Sequence, residues 1–272
     1  MKIKVQARRL CREFNVKNDR GGKDTLSVLD SFDLDILEGE FFSILGPSGC
    51  GKSTFLNILA GLDDFDRGEI LVDQEPLKKR SFDRGMVFQS YALLPWRTVL
   101  ENLEVGLEIR NINRRGRREI ARHYLEMVGL SNFANQYPHQ LSGGMRQRVA
   151  IARVLAYRPN LLLMDEPFAA LDAQTRELMQ IELLRIWEAD KKTIIFVTHS
   201  IDEAILLSDR VAIMTARTGR IKEIIDIDIP RPRTEEIRGS IDFARIRQNA
   251  WGLLKEEVQK VNALLPGGLM TA

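Results

Sequence analysis

The chain has 272 residues, of which 44% are hydrophobic and 29% charged, with a formal net charge of +2. These values fit one large domain or a core carrying an insertion; they give no electrostatic push toward nucleic acid, and no apolar run nears the ~20 residues that span a bilayer. Two cysteines, Cys11 and Cys50, the second inside a tight loop, argue against a disulfide and for a reducing cytoplasm, and the opening MKIKVQARRLCREF lacks the apolar stretch of a signal peptide.

In chain order, DSFDLDI (30–36) alternates strictly and predicts a half-buried strand with Phe32, Leu34 and Ile36 on one face. FFSIL (41–45) is continuously apolar and predicts a strand covered on both faces. GPSGCGKST (46–54) follows, then the helical run TFLNILAGL. From about 97 to 158 the pattern is mostly helical and reads as a helical subdomain inserted into an α/β core. Its basic run RNINRRGRRE (110–119) reads as a solvated helix face or loop, with lipid headgroup contact as the alternative. LSGGMRQRVA (141–150) opens a second helix with a serine and two glycines. LLLM (161–164), TIIFVT (193–198) and RVAIMT (210–215) predict buried strands, and 173–189 a helix. From about residue 230 a PRPR segment leads into a C-terminal helical appendage, expected to pack through Phe243, Ile246, Trp251 and Leu254.

The strand–loop–helix at 41–54 fits G-x-x-x-x-G-K-[ST] at Gly46, Gly51, Lys52 and Ser53. Such a loop (Gly46, Pro47, Ser48, Gly49, Cys50, Gly51, Lys52, Ser53, Thr54) closes around phosphate oxygens through its backbone N–H groups, Pro47 alone having none to give. Lys52 would reach the β- and γ-phosphates, and Ser53 would give a hydroxyl to Mg²⁺. The pair Asp165–Glu166 ends a buried strand, where acids are costly without partners. A magnesium ion held by Asp165, mainly through water, and an attacking water polarised by Glu166 account for both. Ser142, Gly143 and Gly144 form a second helix start suited to an anion, without a lysine. Cys50 lies beside Lys52 and a helix start, which favour a reactive thiolate; the alternative is an inert small residue facing the sheet.

GPSGCGKST, LSGGMRQR, LLLMDEPFAALD and VTHSIDEA, in that order, resemble the ATP-binding-cassette (ABC) ATPases over nearly the whole chain. The resemblance implies a P-loop NTPase (RecA-like) α/β core with an N-terminal antiparallel β subdomain and an inserted α-helical signature subdomain. It implies an ABC ATPase domain over 1–229, with the insertion at about 90–158, and an appendage over 230–272. ATP and Mg²⁺ would be the ligands. Two chains would pair head to tail, so that Ser142–Gly144 of one cap the γ-phosphate held by the P-loop of the other. Met145 stands where the family usually has glutamine. By the same resemblance Gln89 is a Mg²⁺ and water ligand that senses the permease, and His199 a switch residue that contacts the γ-phosphate and orients the water of Glu166. Asp172 would touch the partner chain, and Phe14 would stack on adenine, where a core role is the alternative.

YALLPWRTVLENLEVGL (91–107) and the stretch 200–233 look like the nitrate/sulfonate/taurine importer group. That implies an ATPase subunit at the cytoplasmic face of the inner membrane, held peripherally by two permease subunits and served indirectly by an extracytoplasmic solute-binding protein, with no nucleic acid partner. Tyr91, Leu94 and Trp96 are expected on the permease-facing surface, with packing inside the helical subdomain as the alternative. Another ABC system, an exporter or a non-transport ATPase, is the rival reading. Repair members carry a long coiled coil between P-loop and signature, and no sustained heptads occur here.

Overall fold

Phe32, Leu34 and Ile36 are each at most 2% exposed, as the alternation of 30–36 requires. The computed structural model describes residues 2–17, 23–79 and 81–262, so the last ten residues of the expected appendage lie outside it. In chain order the elements are β1 (Ile3–Lys17), β2 (Lys23–Leu37), β3 (Phe41–Leu45), α1 (Lys52–Ala60), β4 (Arg67–Val72), β5 (Glu75–Pro76), β6 (Arg84–Val87), α2 (Val99–Ile109), α3 (Arg114–Met127), α4 (Gly143–Ala156), β7 (Leu161–Asp165), α5 (Ala173–Asp190), β8 (Thr193–Thr198), α6 (Ile201–Leu207), β9 (Arg210–Met214), β10 (Ile221–Asp226) and α7 (Ile241–Asn262). They form two compact units, Met1–Ser81 with Asp190–Ala272, and Phe82–Ala189.

In the first unit an antiparallel sheet runs β2-β1-β4-β5. A second sheet centres on β3, which pairs in parallel with β8 on one side and β9 on the other; β10 closes the edge antiparallel to β9. Every residue of β3 and β8 is buried, which is why both are mostly apolar, broken only by the buried hydroxyls of Ser43, Thr193 and Thr198. Leu45, Ile205, Val211 and Ile213 share a core cluster with Phe243, Ile246, Ala250 and Leu254 of α7.

The positions 243, 246, 250, 254 and 257 trace one stripe along α7, at the spacing of a helix face. Trp251 is one residue out of phase with that stripe. It is 53% exposed and does not join the packing expected of it. Glu257 ends the stripe, 1% exposed, accepting from the Ala216 N–H at 3.0 Å and pairing with Lys222 and Lys260 at 3.0 and 2.6 Å. Arg233, from the PRPR segment, is buried and donates to the carbonyls of Ile205, Leu206, Ser208, Ile227 and Ile229. Three of these lie at the end of α6, where helical carbonyls lack partners of their own.

The second unit pairs β6 and β7 in parallel and packs α2, α3 and α4 together. Thr98 and Glu101 form a reciprocal capping box on α2, and Asn113 caps α3. Arg114, Arg115 and Arg118 of the basic run are exposed on α3, as is Arg122 just beyond it. Among the described residues, no helix is long and apolar enough to cross a membrane.

Candidate functional site

The first unit carries the phosphate-loop candidates. Gly49 and Gly51 hold φ of +78° and +103°, a region that only glycine enters cheaply. A Cβ on Gly51 would also lie 2.9 Å from Leu29 Cδ2 and 3.0 Å from the Val28 carbonyl. Gly51 is the N-cap of α1 and offers no side-chain cap, and no acidic residue occupies the first turn. The start of α1 therefore presents uncapped backbone N–H groups at a positive helix end, which suits a phosphate. Lys52 is buried within the loop, its ammonium donating to the carbonyls of Gly46 and Pro47 at 2.7 and 2.9 Å. Ser53 is exposed on the first turn of α1.

Cys50 departs from the expectation of a reactive thiol. It is 1% exposed, and burial pushes its thiol above the ordinary value despite Lys52 Nζ at 3.7 Å. Desolvation of a thiolate outweighs one neighbouring ammonium. Both cysteines are free and buried.

Phe14 is half-buried on β1 and pairs with Leu26 of β2. Two residues further along β2, Val28 meets the phosphate loop at Gly51. The aromatic ring and the loop are thus served by one hairpin. His199 is exposed between β8 and α6. Its neighbours are fixed: Thr198 Oγ1 donates to Glu203 at 2.6 Å and accepts from the Ser200 N–H at 3.0 Å, and Ser200 caps α6. His199 borders a cleft of about 610 Å³ whose far wall is α7, through Phe243, Arg247 and Trp251.

The second unit carries the other candidates. Asp165 is 7% exposed at the last position of β7, and Glu166 follows with φ of +46°. Gln89 Nε2 donates to Glu166 Oε2 at 3.5 Å, so the structure brings these two candidates together. Ser142 caps α4, its Oγ accepting from the Met145 N–H at 3.3 Å, while Gly143 and Gly144 form the first turn. Asp172 accepts from the Thr175 N–H at 3.0 Å, and that bond holds its carboxyl below the usual range.

The 91–96 segment is pinned from two sides. Asn102, fully buried, accepts from the Leu94 N–H and donates to the carbonyls of Leu94, Arg97 and Thr98. Arg153 of α4 donates to the carbonyls of Ala92 and Tyr91 at 2.6 and 3.2 Å. Trp96 is 70% exposed, but Tyr91 and Leu94 are half-buried, so only Trp96 fully meets the expectation of an exposed surface. The Tyr91 hydroxyl reaches Gly143, where a Cβ would lie 3.2 Å from it, and Arg146 lies over the Tyr91 ring at 5.3 Å. Asn102, Arg146 and Arg153 escaped the sequence reading; their partners are backbone atoms or rings that no motif marks.

The Ser53 hydroxyl in the first unit, and the Gln89 amide and Asp165 carboxylate in the second, each offer oxygen of the kind that a hard cation such as Mg²⁺ takes. Among the described residues no group of three or more His, Cys, Asp or Glu is placed to hold a metal ion.

The family described as ABC transporter matches residues 29–169. An uncharacterized ABC transporter ATP-binding protein of Methanocaldococcus jannaschii is 52% identical over 96% of this chain and 94% of its own. The aliphatic sulfonates import ATP-binding protein SsuB of Bacillus cereus is 46% identical, over 82% of this chain and 87% of its own. The taurine import ATP-binding protein TauB of Rhizobium johnstonii is 45% identical, over 85% and 90%. Among solved structures, the dimeric post-hydrolysis state of the ATP-binding cassette MJ0796 bound to ADP and phosphate superposes with a TM-score of 0.75 and 36% identity, over 83% of this chain and all of that one.

Proposed function

The chain belongs to the ABC transporter family and is an ATPase, and from that premise we propose that it energises an importer of a small anion or organic solute such as nitrate, a sulfonate or taurine. The likeness to two import ATP-binding proteins along more than four fifths of the chain carries this reading. The chain is read as an ABC ATPase domain over 1–229, with the helical insertion at about 90–158, and a C-terminal appendage over 230–272.

In this reading the loop Gly46–Thr54 binds the phosphates of ATP, Lys52 neutralises charge on the β- and γ-phosphates, and Phe14 carries the adenine. Ser53, Gln89 and Asp165 hold Mg²⁺, which when bound offsets charge between the phosphates. Glu166 takes the proton of the attacking water, and His199 orients that water. Two chains pair head to tail, each lending Ser142–Gly144 to the other's nucleotide; the cassette of similar fold was solved as a dimer. The loop ending at Trp96 meets two permease subunits at the cytoplasmic face of the inner membrane. A solute-binding protein on the far side delivers the solute.

The experiment is co-expression with permeases encoded beside this gene, followed by extraction and affinity capture. A stable complex whose ATPase rate rises with loaded solute-binding protein in proteoliposomes is expected. Capture without any integral membrane partner, or ATPase activity indifferent to the binding protein, overturns the importer reading.

A further inference from the structure

Phe14 does not stand alone on β1. The Arg12 guanidinium lies over its ring, 4.4 Å from the centroid. Arg12 is itself held in place. It donates to Asp63 at 2.7 Å and to Asp66 at 3.5 Å, with its side chain only 18% exposed. Asp66 accepts in turn from the Glu13 N–H at 2.7 Å, and its own N–H donates to the Cys11 carbonyl at 2.9 Å. Asp63 lies just beyond the end of α1, the helix that begins at the phosphate loop. The β1–β2 register shifts on both sides of Arg12, an irregularity of the kind that re-aims side chains.

We propose that Arg12 is a positioning residue for a purine base: it fixes one face of the Phe14 ring so that the other serves as a stacking platform, and it ties that platform to the phosphate-loop helix. This rests on the reading of Phe14 as the base site. A cation against one face draws π-density toward itself, which favours an electron-rich base on the opposite face. A ring held in one rotamer also loses less entropy when the base arrives. Arginine suits the task because a planar guanidinium can lie flat on a ring while its edge meets two carboxylates.

The test compares ATP with inorganic tripolyphosphate, which has no base, by calorimetry on the full chain. Arg12→Met is expected to weaken ATP by about three- to tenfold and to leave tripolyphosphate affinity unchanged. The loss should fall on KM for ATP rather than on kcat, and Arg12→Lys should restore part of it. Asp63→Asn loosens the anchor while keeping the guanidinium, and should shift the ATP-to-tripolyphosphate ratio less, in the same direction. If Arg12→Met does not fold, an unchanged ratio in Asp63→Asn overturns the proposal. Equal weakening of both ligands by Arg12→Met also overturns it, because that marks a purely structural role. ATP binding lost in Phe14→Ala but intact in Arg12→Met overturns the role of Arg12 and leaves the base platform standing. Intact ATP binding in both variants removes Phe14 as the base site, and this proposal with it.

Discussion

Glu166 holds a φ of +46° immediately after β7, and its Oε2 accepts a hydrogen bond from Gln89 Nε2 at 3.5 Å. Left-handed backbone at a non-glycine residue costs on the order of 1–3 kcal/mol and persists where the surroundings enforce it. The conformation turns the chain sharply as it leaves a buried strand. The contact to Gln89 is long for a hydrogen bond, so it holds the carboxylate only weakly.

Glu166→Gln keeps this shape and removes the carboxylate proposed above as the base. Turnover is expected to fall by ~10²-fold or more, the size of a general-base contribution, while ATP still binds and the nucleotide-bound dimer accumulates. Steady-state hydrolysis with ATP titration checks it; normal turnover would exclude Glu166 as the base.

Ser142 caps α4 within its own chain, and the proposed second role, across a dimer, is tested by complementation. Ser142→Arg blocks the signature and keeps the P-loop; Lys52→Ala does the reverse. Each pure variant is expected to be nearly inactive. A mixed dimer holds one complete site, and measurable activity should return on mixing. No recovery, with mixed dimers demonstrated by mass, counts against one site firing with a signature lent in trans.

For Cys50, a raised thiol value means less thiolate at neutral pH than an ordinary cysteine has, and burial also blocks access. Maleimide labelling at pH 7 is expected to be slow in the native chain, both with and without MgATP. The rate should climb as pH rises past the ordinary value of 9.0, and jump on unfolding. Fast native labelling at pH 7, read by peptide mass mapping, would contradict the burial.

Glu257 tests the seat of α7. Burial alone would raise its carboxyl, but the Lys260 ammonium, the Ala216 N–H and Lys222 together hold it below the ordinary 4.5. A depressed folded value stabilises the fold above the unfolded value and is lost as pH falls through the folded one. Thermal melts of the wild type should therefore drop below about pH 4.5. Glu257→Gln should lower stability at pH 7 by about 1–3 kcal/mol and flatten that acid limb. Parallel pH profiles for the two chains would show that Glu257 contributes nothing.

The parts legible in the sequence are those whose logic is local. Gly49 and Gly51 need positive φ, so the tight turn before α1 declares itself in nine letters. The buried strands read directly because both faces demand apolar residues. Trp251 lies one residue out of phase with the buried stripe, which helical phase reveals and residue type does not. The Cys50 thiol was misjudged because the letters give the charge beside it but not the depth around it. Arg12, Asn102, Arg233 and Glu257 stayed silent because what they hold is brought near only by the fold.

The position of β3 between β8 and β9 has a consequence for how the protein is made. The strand that leads into the phosphate loop leaves the ribosome early, but both of its sheet neighbours come from the last third of the chain. At typical synthesis rates of ~5–20 residues per second, β3 waits on the order of ten seconds for partners. During that time FFSIL, five consecutive residues destined for full burial, is a sticky, unpaired edge. Nascent-chain folding of this protein should therefore depend on holdase chaperones until translation has passed residue 214, and slowing elongation before that point should lower the soluble yield.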